Sequence, residues 1–99
     1  TGPRRSPLMS EVPAVAETLP GYEAAIWLGL MAPAATPLPV RERLNAEVNR
    51  ILALEGTRAA QERAGAQPMP MSIAEFDGYL RQDIARQAEW IRMARMTPG

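Results

Sequence analysis

The stretch GYEAAIWLGLMAPAATPLP, residues 21–39, limits the folds open to this chain more than any other. From Tyr22 to Ala32, Ile26, Leu28 and Leu30 alternate with Trp27, Gly29 and Met31, so both faces are apolar. That is the pattern of a strand buried on two sides, not of a sheet edge. Gly29 in its middle suits a bulge or the close approach of another backbone. A buried helix is the rival reading, but Met31-Ala32-Pro33 ends it too soon. The pattern therefore predicts one buried strand near 25–32, with a second, short extended piece near 66–70 around Pro68-Met69-Pro70-Met71. Two such pieces do not make a sheet, and a strand this apolar needs one.

The rest of the chain reads as helix and turn. Residues 1–24 contain Pro3, Pro7, Pro13 and Pro20 and little periodicity, so an extended linker is expected there. Within it, residues 14–18 suit a single helical turn, and Pro20-Gly21 marks a tight turn. Thr36 has the chemistry of an N-cap, with Pro37 at the first helical position. Val40, Leu44, Val48, Ile51 and Leu52 then share one helical face, opposite Arg41, Glu42, Arg43, Asn45, Glu47, Asn49 and Arg50. A helix over 37–54 follows. A shorter one over 57–64, with only Ala as apolar content, stops at Gly65. Ser72 and Glu75 form a capping box ahead of Ile73, Phe76, Leu80, Ile84, Ala88 and Ile91, which predicts a helix over 73–94.

Chemistry is sparse. The chain has no Cys and no His, which removes thiol chemistry, the commonest general base and the usual zinc ligands. Carboxylate pairs such as Glu42/Glu47 and Glu75/Asp77 fall on solvent faces of predicted helices, and no glycine-rich phosphate loop is present. No catalytic residue, metal ligand or cofactor site is expected, and the chain does not read as an enzyme. All eleven cations are Arg and are balanced by eleven acids, so the basic excess typical of nucleic-acid binders is missing. Pro3-Arg4-Arg5-Ser6-Pro7 suits a phosphate or partner contact, but a solvated linker is the simpler reading. Trp27 is a core residue or a stacking surface for a ligand. The six Met residues read as gap-filling core.

The ordered set of short motifs resembles the C-terminal part of the tripartite tricarboxylate transporter receptor family, the Bug family of periplasmic solute-binding proteins. The matching pieces are Arg5-Ser6-Pro7, Glu11-Val12-Pro13, Ala16-Glu17, Pro20-Gly21-Tyr22-Glu23, Trp27-Leu28-Gly29-Leu30, Ala32-Pro33-Ala34-Ala35-Thr36-Pro37 and Arg43-Leu44-Asn45-Ala46-Glu47. Gly65-Ala66-Gln67-Pro68 and Ser72-Ile73-Ala74-Glu75-Phe76 continue the series, so the resemblance covers essentially the whole chain. There are departures. Ala35 stands where the family usually has Gly, Ala14 where it has Thr, and Ile73 where it has Pro. Thr57 and Gln61 stand where apolar residues are common, so poor packing of the short helix is expected.

The resemblance implies an α/β parent fold of the type II periplasmic-binding-protein kind, two lobes closing on a small carboxylate such as a di- or tricarboxylate or an amino acid. Membrane transporter subunits would be the partners and the periplasm the location, with the signal peptide outside this chain. Residues 1–99 would form the C-terminal fragment, with residues 25–99 giving a crossover strand and helices that pack on the first lobe. The fragment would then supply hinge and scaffold, and only Trp27 is nominated near the ligand. Taken alone, such a fragment is expected to self-associate, because its strand and helix faces lack cover. The alternative is an autonomous helical interaction or oligomerisation module, in which the Trp27 stretch is helix or loop.

Overall fold

The computed structural model describes residues 2–99 and is helical. Two single-turn 3-10 helices, Pro7–Met9 and Val15–Glu17, precede α1 (Leu38–Leu52), α2 (Glu55–Arg63) and α3 (Ile73–Met93). The chain divides into two units. One comprises residues up to Thr36 together with Ala53–Pro68, and the other Pro37–Leu52 with Met69–Gly99.

No strand forms among the described residues. The buried strand expected near 25–32 is instead an irregular, exposed stretch, with Ile26 and Leu28 96% and 97% exposed. The short strand expected near 66–70 is irregular as well. The physical reason is that a strand has no hydrogen bonds of its own: its N–H and C=O groups need a neighbouring strand, and this chain supplies none. Nor is the N-terminal segment a plain extended linker. Ser6 caps the first 3-10 turn, its hydroxyl accepting from the Leu8 N–H. Leu19-Pro20-Gly21-Tyr22 closes a turn through Tyr22 N–H to Leu19 C=O, with Gly21 at φ 85°, as a type II turn requires.

The helices follow their local signals closely. The Pro37 carbonyl accepts from Val40 and Arg41, so α1 opens at Leu38, and Pro39 in the first turn costs no hydrogen bond. The helix expected to reach residue 54 stops at Leu52. Leu54 adopts an extended conformation (ψ 134°) and begins α2, which places the Glu55 carboxylate at a helix N-terminus. Gly65, at φ 76°, ends α2: its N–H reaches Glu62 C=O while the Ala66 N–H reaches Gln61 C=O. This is a Schellman closure. The same pair of bonds ends α3, from Arg95 to Arg92 and from Met96 to Ile91, with Arg95 in the left-handed region at φ 52°. At the other end of α3, Ser72 and Glu75 form the expected capping box.

In the second unit α1 packs on α3, and the contact has a polar anchor. The side-chain amides of Asn45 and Asn49 both donate to the Met71 carbonyl, each at 2.9 Å. Arg41, Asn45, Val48, Asn49 and Leu52 are the half-buried residues on that side of α1. At about 100° per residue, this face is turned by roughly a quarter to a third of a revolution from the stripe of Val40, Leu44 and Ile51. Those three remain 48%, 42% and 43% exposed. The same offset occurs on α3. Ile73, Phe76, Tyr79, Leu80, Asp83, Arg86 and Trp90 are covered to varying degrees, whereas Ile84 is 60% and Ile91 47% exposed.

Little apolar surface is buried. Ala14 is the one buried hydrophobic residue among those described. Full burial of one Leu or Ile side chain contributes about 1.5–3 kcal/mol, so leaving Ile26, Leu28 and Ile84 in water forgoes an amount comparable with a small domain's entire net stability.

Two expectations follow. Asn45→Ala and Asn49→Ala should each lower the thermal midpoint of helix loss, followed by circular dichroism, by an amount corresponding to about 1 kcal/mol, and the pair should be non-additive because both serve one carbonyl. The Oε1 of Gln61 is buried without a hydrogen-bond partner. Gln61→Leu should therefore raise the stability of α2 by about 1 kcal/mol, read from amide exchange in 55–63.

Candidate functional site

Three constellations stand out, and none has the layout of a catalytic centre. The first surrounds Glu17. Its carboxylate accepts from Arg5 twice, Nε at 2.8 Å and Nη2 at 2.7 Å, and from the Ala14 N–H at 2.7 Å. Arg5 Nη1 also reaches the Ser10 carbonyl at 3.1 Å. A planar guanidinium matches a carboxylate in this bidentate way, which is why Arg suits the position better than Lys would. The fork closes the loop from 5 to 17 around buried Ala14. The hydrogen bonds from Arg5 and then from the Ala14 amide hold the Glu17 carboxyl down at about 2. The Arg5 guanidinium is correspondingly pushed up. This arrangement commits the Arg5 fork to Glu17 within the chain, while Arg5 itself stays exposed to solvent.

The second constellation lies on α3. Asp83, only 7% exposed, pairs with Arg86 Nη2 at 2.7 Å, and the Arg86 guanidinium lies 5.6 Å from the centroid of the Trp90 ring. Spacings of three and four place all three on one helical face. A covered carboxylate needs a counter-charge, and a cation over an indole ring gains from the ring's negative face. The apolar periodicity points to Ile73, Phe76, Leu80, Ile84, Ala88 and Ile91 as the inward positions; the first three are partly covered, and the last three are exposed. Asp83-x-x-Arg86-x-x-x-Trp90 was the signal that could have corrected this.

The third is Trp27 itself. It is half-buried in the irregular stretch, between Ile26 and Leu28, which are almost fully exposed. Three of the four carboxylates weighed as acid–base pairs have plain structural partners. Glu47 pairs with Arg50, Asp77 with Arg81, and Glu75 completes the Ser72 capping box. Among the described residues no group of three or more acidic ligands could hold a metal ion. No described helix is long and apolar enough to cross a membrane.

Comparison with known proteins adds one relative. The UPF0065 protein in the tcbD-tcbE intergenic region of Pseudomonas sp. (strain P51) is 44% identical over 63 residues. Over that span, this chain is similar to a UPF0065 protein. The match takes in 62% of this chain but only 19% of the relative, so most of the relative's length has no counterpart here. No family model matches the chain, and no solved structure matches it.

The Glu17 fork generates a pH prediction. Its folded value lies below the ordinary 4.5, so the bonds it makes contribute stability that is fully present above about 4.5 and is lost as pH falls through about 2. Carboxyl titration of Glu17 by NMR should show a midpoint near 2, moving toward 4.5 in an Arg5→Ala variant. A wild-type midpoint near 4.5 would show that the fork does not persist in solution.

Proposed function

We propose that this chain is part of a Bug-type periplasmic solute-binding receptor, whose whole would capture a small carboxylate for a tripartite tricarboxylate transporter. The observation that carries the reading is the 44% identity to a UPF0065 protein, of which this chain covers 19%. UPF0065 is the name under which Bug proteins are grouped. The exposed faces support it physically. Val40, Leu44 and Ile51 on α1, Ile84 and Ile91 on α3, and Ile26 and Leu28 in the irregular stretch all lack cover within this chain. A larger α/β receptor would cover them with a sheet, and residues 25–32 would gain strand neighbours there. In that setting the stretch near Trp27 lies by the hinge, lobe closure is the binding step, and this chain contributes scaffold with no catalytic role.

A second reading, a helical interaction or oligomerisation module, is favoured by one observation: the Trp27 stretch is irregular and no strand forms among the described residues. The two readings separate by experiment. On the receptor reading, the protein carrying this chain together with the rest of a relative-length sequence is stabilised in thermal-shift assays by one or more of citrate, succinate, glutamate and related acids. The 99-residue chain alone shows no shift. A Trp27→Ala change in the longer protein should weaken binding. Stabilisation of the short chain by a carboxylate would place the site here instead. Absence of any shift in the longer protein, with a defined oligomer of the short chain, would favour the module.

Sedimentation of the short chain tests the uncovered faces directly. Its average mass should rise with concentration, and Ile84→Glu together with Leu44→Glu should suppress the rise. A chain that stays monomeric throughout would count against exposed apolar faces in solution.

A further inference from the structure

We draw no further inference here: the strongest candidate, the outward apolar stripes of Val40, Leu44 and Ile51 on α1 and of Ile84 and Ile91 on α3, carries nothing because no feature of the structure shows what covers them.

Discussion

Two amide groups on one carbonyl decide which side of α1 is covered in the second unit. Asn45 and Asn49 lie one helical turn apart, and both donate to Met71 ahead of α3. Because the bonds fix the rotation of α1, Val48 and Leu52 of the expected apolar stripe are covered, and Val40, Leu44 and Ile51 are left at the flank. A hydrophobic stripe alone sets no unique rotation, since burial is non-directional and grades smoothly with angle. Hydrogen bonds are directional, and a mispaired amide costs about 1–3 kcal/mol once covered. On α3 the ion pair of Asp83 with Arg86, and the indole of Trp90 beside it, settle the covered side in the same manner.

The helices were legible because their determinants are local. Ser72 and Glu75 mark the start of α3, Gly65 marks the end of α2, and Leu44, Val48 and Ile51 repeat at helical spacing along α1. Each of these signals acts within a few residues, so the sequence around it carries the whole instruction. The boundary between α1 and α2 was less legible. Leu52, Ala53 and Leu54 are all good helix formers, and the break depends on Leu54 turning extended. The strand near 25–32 was not recoverable as structure, since its alternation describes an environment and not a bond within the segment. The candidate site fared similarly. Asn45 and Asn49 looked like members of a solvent face, although two mid-helix Asn residues at a spacing of four are poor helix formers that ask for another reason to be there. Asp83 was hidden by the louder hydrophobic repeat around it.

In the first unit, polar closure takes the place that a core would hold in a larger domain. Glu17 gathers three donors, Arg5 spans to the Ser10 carbonyl, and the one buried residue among those described there is Ala14. Such a loop is held by groups that remain accessible to water and salt, so its order depends on ionic conditions in a way that packing does not. The orphaned Gln61 oxygen in α2 sits in the same unit. Leu8, Met9 and Val12 stay exposed around the closure, which holds its shape without drawing them in.

The Met71 carbonyl has one more consequence. In an α3 lengthened by a single residue toward its start, that oxygen would be the acceptor for the Glu75 N–H. Here both of its lone pairs are taken by Asn45 and Asn49, and the Glu75 N–H is satisfied by the Ser72 hydroxyl. Winding the helix back by one residue would therefore displace one of the two Asn amides from Met71 and the Ser72 hydroxyl from the Glu75 N–H together. The first residue of α3 is thus set by mutual exclusion between two neighbouring networks, and the helix frame is locked against slippage at the end where it meets α1.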